Sequence, residues 1–145
     1  VYRLDQTDAN LKALLESLTQ QGERSIMIQK YMSDVTEVGD RRVIVLGGEP
    51  IGAISRLPGG NDFRSNFHSG GSAGETGVRP SEREICEDLS DELLKRGLHL
   101  VGLDLISDKI TEINVTSPTC VQEINRGSNT KLEEDIVNYA LDFID

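Results

Sequence analysis

Two apolar stretches, Arg42 to Leu46 and Ile51 to Leu57, are separated by Gly47-Gly48-Glu49-Pro50. Turn chemistry of that kind folds a chain back on itself as a β-hairpin, so the two strands must pair antiparallel. Two more strands are predicted over Leu98 to Ile106 and Ile110 to Val115. An earlier one is predicted over Ser25 to Met32, with Ile26 and Ile28 on one face and Met27 opposite. Three helices surround them. Leu11, Leu14, Leu15 and Leu18 recur at helical spacing, with Asp8 placed to cap the start and Gly22 to end it. Ser81 to Arg96 carries a capping box, Ser81 with Glu84, an apolar stripe of Ile85, Leu89 and Leu93, and a stop at Gly97. A last helix, from about Thr130, carries Leu132, Ile136, Ala140 and Phe143. No internal repeat is visible.

The length of 145 residues suits one domain or two small lobes, and buries roughly 68–70% of the unfolded chain's surface. A hydrophobic content of 37% supplies a core, so disorder is not expected. With 15 basic and 25 acidic residues the formal charge is −10, which argues against nucleic acid and anionic membrane as partners, because both need clustered cations. No apolar run approaches the ~18–20 residues of a membrane span, and no signal peptide is expected. Cys86 and Cys120 are too few for a disulfide scaffold and are expected as reduced thiols in a cytoplasmic protein. The first residue is Val1 rather than Met, and a fragment of a longer protein is expected.

Between Pro58 and Pro80 the chain changes character. It holds Gly59, Gly60, Gly70, Gly71, Gly74 and Gly77, with Phe63, Arg64, Asn66 and Phe67 in close succession. A functional loop and a mobile surface loop with incidental aromatics both fit that composition.

Chemistry concentrates in Gly102 to Asn114. Strand alternation puts Glu112 and Asn114 on one face, with Ile113 and Val115 on the other. A three-residue turn at Ser107-Asp108-Lys109 would pair Ile106 with Ile110 and set Asp104 directly opposite Glu112. Like charges in that relation repel, and a cation removes the penalty. Two carboxylates with an amide oxygen suit Mg²⁺, whose shell is completed by water and phosphate. A two-residue turn would instead shift the register by one and separate the two acids. Solvated acids on an exposed strand are the alternative reading. His68 and His99 stand in no zinc pattern, and Cys120 lacks an activating histidine, so a buried thiol is expected there. Without a Walker A sequence or a Gly-x-Ser-x-Gly elbow, P-loop and α/β-hydrolase readings fall away.

Several strings resemble the prokaryotic glutathione synthetase family of ATP-grasp ligases. The most specific are Val101-Gly102-Leu103-Asp104 and Thr111-Glu112-Ile113-Asn114-Val115-Thr116-Ser117-Pro118-Thr119-Cys120. Upstream, Met27-Ile28-Gln29-Lys30-Tyr31-Met32, Gly39-Asp40-Arg41-Arg42-Val43, Gly48-Glu49-Pro50, Arg56-Leu57-Pro58 and Arg64-Ser65-Asn66 match in order. The resemblance covers nearly the whole chain.

It implies an α+β fold, the C-terminal ATP-grasp lobe, with a mainly antiparallel sheet flanked by helices and a long Gly-rich loop. It implies a reaction joining γ-glutamylcysteine to glycine through an acyl phosphate, with ATP as co-substrate and Mg²⁺, or Mn²⁺, as the metal. Asp104, Glu112 and Asn114 are then the metal ligands. Gln29, Lys30, Tyr31 and Met32 are the hinge that binds adenine, Asp40 reaches the ribose, and Arg56 also belongs to the ATP site. Arg42 and Arg64 are the catalytic guanidinium groups. Asn66, Ser117 and Thr119 bind the dipeptide, and residues 58–80 form a flexible lid. The resemblance also places an N-terminal domain and most of the central lobe outside these residues, with the lysines that contact the nucleotide phosphates. Family members are often multimeric, so a homo-oligomer is among the implied partners. Ser72 stands where the family often has Arg. An ATP-grasp ligase with a different acceptor and a non-catalytic remnant acting as a binding module remain as alternatives.

Overall fold

A computed structural model of the chain describes residues 2–57 and 72–143. They fall into two compact units, Val1–Met32 and Ser33–Asp145. In the first, α1 (Leu11–Leu18) forms on the predicted leucine stripe, and none of its residues is buried within the unit. Asn10 occupies the N-cap position. Asp8 acts one turn earlier, its carboxylate accepting from the Asn10 N–H at 2.8 Å. The strand predicted over Ser25 to Met32 does not form: no helix or strand is assigned there. Alternation marks which residues share a face, but a strand also needs a neighbour to bond to.

The second unit holds β1 (Asp40–Leu46), β2 (Glu49–Leu57), β3 (Ser72–Thr76), β4 (Leu100–Ile106) and β5 (Lys109–Asn114). They form one antiparallel sheet in the order β3-β2-β1-β4-β5. Its helices are α2 (Val35–Val38), α3 (Pro80–Lys95), α4 (Val121–Ser128) and α5 (Leu132–Asp142). Within the predicted 58–80 loop, residues 72–76 are therefore a strand, with Ser72 opposite Leu57. Phe63, Arg64, Asn66 and Phe67 lie outside the described residues.

Both hairpins have one design. β1 and β2 join through Gly47 and Gly48, at φ 59° and 87°, a two-residue loop whose positive φ values suit the twist of the strands. The register then shifts by one within β2, between the Ile44–Gly52 and Val45–Pro50 pairs. β4 and β5 join through Ser107 and Asp108, also at positive φ (47° and 59°), and the register shifts after the Leu105–Ile110 pair. The expected three-residue turn is thus a two-residue turn followed by a bulge at Thr111. Asp tolerates positive φ without announcing the turn as glycine does.

α3 covers one face of the sheet. Val43, Val45, Ala53, Val101, Leu103 and Leu105 pack there against Cys86, Leu93, Ile85 and Leu89. The N-cap, Arg79, lies two residues before the predicted one: the Arg79 N–H donates to Glu82 at 2.8 Å, and Ser81 instead bonds Asp108 at 2.9 Å. Pro80 fits the first helical position, where no N–H is needed. On the other face, Ile44 and Ile54 pack under Cys120, Ile124 and Leu132. Gly52 permits that approach, since a Cβ there would stand 2.6 Å from Leu132 Cδ1. Among the described residues no helix is long and apolar enough to cross a membrane.

Candidate functional site

The face of the sheet under α4 and α5 is apolar over only part of its area. Strand alternation sends Asp40, Arg42 and Ile44 of β1 to this side. Direct cross-strand pairing then generates rows. One row is Arg56 opposite Asp40. The next runs Ile54, Arg42, Asp104, Glu112 across four strands, and the third runs Gly52, Ile44, Gly102, Asn114. The bulge at Thr111 is what sets Glu112 opposite Asp104. Continued from the turn without it, the two-residue register would oppose Thr111 to Asp104 and turn Glu112 to the α3 side. The Thr111 hydroxyl closes the irregularity by donating to the Asp104 carbonyl at 3.0 Å.

The charged side chains of these rows interlock. Arg42 grips Asp104 bidentately, Nε donating to Oδ1 and Nη2 to Oδ2, the latter at 2.9 Å. Arg56 does the same to Asp40, at 2.8 Å from Nε and 2.5 Å from Nη2, and its Nη2 also lies 3.0 Å from Asp104 Oδ1. Arg42, Arg56 and Asp104 are all buried. Burial alone would push the Arg56 guanidinium down, but the bond to Asp40 and the charge of Asp104 outweigh it and hold it above the usual arginine range. Bidentate arginine–carboxylate pairs of this kind are short and directional.

Two cations and two anions cancel in this quartet, and Glu112, exposed in the same row, meets no cation among the described residues. The Asn114 amide lies between Glu112 and Arg42. With its nitrogen turned to Glu112 Oε1 (3.3 Å), its oxygen accepts from Arg42 Nη2 (3.2 Å). Among the described residues no cluster of three or more His, Cys, Asp or Glu assembles. The donor set is two carboxylates and an amide, which fits a hard divalent cation that keeps water and ligand oxygens in its shell, and does not fit zinc. The adjoining guanidinium groups fit an anionic ligand beside it.

Thr119 joins this group, its hydroxyl and carbonyl accepting from Arg42 Nη1 at 3.3 and 3.4 Å. Ser117 is exposed, at φ 47°, in the segment between β5 and α4. Gly102 leaves room for this arrangement: a Cβ would meet Pro118 Cβ at 2.9 Å and Arg42 Cδ at 3.2 Å. The structure thus brings together Asp40, Arg42, Arg56, Asp104, Asn114 and Thr119, with Glu112 in register. Gln29, Lys30, Tyr31 and Met32 belong to the first unit, where the Arg3 guanidinium sits 4.3 Å above the Tyr31 ring. Arg64 and Asn66 lie outside the described residues.

Sequence reasoning passed over Arg41. It alternates to the α3 face and donates to Glu82 at 2.6 and 2.9 Å, Ser55 at 3.1 Å, the Glu75 carbonyl at 2.9 Å and the Gly77 carbonyl at 2.6 Å. Two adjacent arginines in a strand must face opposite sides, and that was the available signal.

Residues 1–129 match the family model described as prokaryotic glutathione synthetase, ATP-grasp domain. A protein named glutathione synthetase from Prochlorococcus marinus subsp. pastoris is 42% identical over 144 residues, covering 99% of this chain and 47% of that protein. Its namesake from Mesorhizobium japonicum is 47% identical over 126 residues, covering 87% and 40%. A third, from Brucella melitensis biotype 1, is 45% identical over 132 residues, covering 91% and 42%. The chain spans less than half the length of these relatives.

Proposed function

This chain belongs to the prokaryotic glutathione synthetase ATP-grasp domain family, and from that premise we propose that it supplies the cation- and anion-gripping lobe of an ATP-dependent carboxylate–amine ligase. The reaction joins γ-glutamylcysteine to glycine and converts ATP to ADP and phosphate. The observation that carries the reading is the cross-strand row Arg42, Asp104, Glu112, with Asn114 one row away. Two carboxylates and a guanidinium side by side on one sheet support a reading in which a cation and an anionic ligand are held together.

Asp104, Glu112 and Asn114 would hold Mg²⁺ or Mn²⁺, which when bound takes up charge on phosphate oxygens. In the first step a carboxylate oxygen of γ-glutamylcysteine attacks the γ-phosphorus, the bond to the β,γ-bridging oxygen breaks, and ADP leaves. In the second the glycine amine attacks the acyl carbon, phosphate departs, and the amine loses its proton. Arg42, together with Arg64, offsets charge on the transferring group. Arg56 acts on the ATP side, with Gln29, Lys30, Tyr31 and Met32 toward adenine. Thr119, Ser117 and Asn66 serve the dipeptide. The lysines that hold the nucleotide phosphates would come from the part of the protein outside this chain. A reducing, cytoplasmic setting agrees with two free, buried cysteines, Cys86 and Cys120.

The test uses the complete protein. Asp104→Asn and Glu112→Gln should each lower glutathione formation by roughly 10²–10³-fold, the scale of losing one electrostatic contact to a reacting group. Each should also weaken the binding of the divalent ion with nucleotide in titration calorimetry. Activity retained in the double variant would refute the assignment.

A further inference from the structure

β5 lies at the edge of the sheet, with β4 as its neighbour and no strand beyond it among the described residues. A strand held from one side only depends on its hairpin for register. The tip of this hairpin is fixed by bonds outside the ladder. Ser107 donates to Asp34, the residue that precedes α2, at 2.5 Å, and Ser81 of α3 donates to Asp108 at 2.9 Å. From that tip the ladder runs Ile106–Lys109 and Leu105–Ile110. Carried one step further without interruption, it would oppose Asp104 to Thr111 and Leu103 to Glu112, turning Glu112 toward the α3 core. The chain avoids this at one residue. Thr111 is the extra residue of the bulge, and its hydroxyl donates to the Asp104 carbonyl at 3.0 Å. The bond joins the residue beside Glu112 to the backbone of Asp104 itself.

We infer that Thr111 is a positioning residue for the cation site: its hydroxyl holds the bulge that keeps Glu112 in phase with Asp104. The inference rests on the reading of Asp104, Glu112 and Asn114 as cation ligands given above. A bulge on an edge strand also discourages pairing with other chains, but that service requires the kink and no hydroxyl. Threonine suits the task by its shape, since β-branching fits a strand and a short hydroxyl reaches a nearby main-chain oxygen. Asp104 is already paired with Arg42 and Arg56, whereas Glu112 meets no cation among the described residues. The placement of Glu112 therefore decides how well the two carboxylates grip a divalent ion together. Thr111 acts only through Glu112, so its effect must appear with the ion, be absent without it, and vanish once Glu112 loses its charge.

The experiment uses the complete protein with Thr111→Val, Thr111→Ser, Glu112→Gln, and Thr111→Val combined with Glu112→Gln. Dissociation constants of ATP are measured by calorimetry with Mn²⁺ and, in chelator, without it; dipeptide and glycine are omitted, so no ligation intervenes. Thr111→Val keeps the shape of the side chain and removes the hydroxyl. It should raise the constant for Mn²⁺–ATP about fivefold, the scale of one neutral hydrogen bond, and leave that for metal-free ATP at its parent value. Thr111→Ser should restore the parent affinity to within about twofold, and Thr111→Val should add nothing in the Glu112→Gln background. An unchanged Mn²⁺–ATP constant in Thr111→Val, with or without a lowered melting temperature, would overturn the inference. So would an equal rise for metal-free ATP, additive effects across the cycle, or a serine variant as weak as the valine one. If Glu112→Gln leaves the gain from Mn²⁺ at its parent value, the cation-site reading falls and the inference with it. If Glu112→Gln loses that gain while Thr111→Val keeps it, the inference alone is refuted.

Discussion

Replacing Arg41 with alanine should destabilise the fold by about 3–5 kcal/mol, the cost of stranding one partner of a buried ion pair. The structure places it at this end of the scale. Arg41 is 6% exposed and Glu82 1%, so solvent can neither screen the pair nor take over its hydrogen bonds. The guanidinium also satisfies Ser55 and the carbonyls of Glu75 and Gly77. Its loss leaves a bare carboxylate against the core face and releases β3 from β1. Urea denaturation, with a slope near 2 kcal/mol per molar, should show the midpoint falling by about 2 M. Two comparisons isolate the cause. Arg96→Ala removes a solvent-exposed pair with Glu92 and should move the midpoint within error. The double change Arg41→Met with Glu82→Leu removes both charges and fills the space, and should recover most of the loss. If Arg41→Ala behaves like Arg96→Ala, or if the double variant is as unstable as the single, the buried pair is not what ties these elements together.

Burial, reinforced by the negative charge of Glu82, pushes the Cys86 thiol up to about 11 from its ordinary 9.0. The folded state therefore keeps its proton longer, so the stability it contributes is complete below pH 9 and lost as pH rises toward 11; unfolding curves of the parent and Cys86→Ala should converge over this window. Gly52→Ala drives a methyl to within 2.6 Å of Leu132 Cδ1 and 3.0 Å of Ile124 Cγ2, and should lower stability by about 1–3 kcal/mol; Leu132→Ala in the same chain should then be less harmful than on its own, which a thermal-unfolding cycle would show.

Some of this protein is local and therefore legible in its sequence. The glycine pair at 47 and 48 dictated a hairpin because no other residue enters positive φ so freely. The leucine spacing dictated α1, and the apolar stripe of residues 85, 89 and 93 dictated α3. The acids that share a face were also within reach, since period two fixes which residues of a strand point together. Other features depend on partners far along the chain. The 25–32 segment alternates like a strand, but alternation supplies no neighbour to pair with. Arg41 and Arg42 look alike in sequence, and only the placement of α3 on one face and of β4 beside β1 makes the first a brace and the second part of the site. A three-residue turn and a two-residue turn with a bulge set Asp104 opposite Glu112 alike, and the chain uses the second. Register in a hairpin is the sum of the turn and any bulge that follows, and the bulge at Thr111 restored what the shorter turn removed. Which side chains a strand turns the same way is written in its own period, whereas which of them finally meet is decided by the register between strands and by the helices laid over each face.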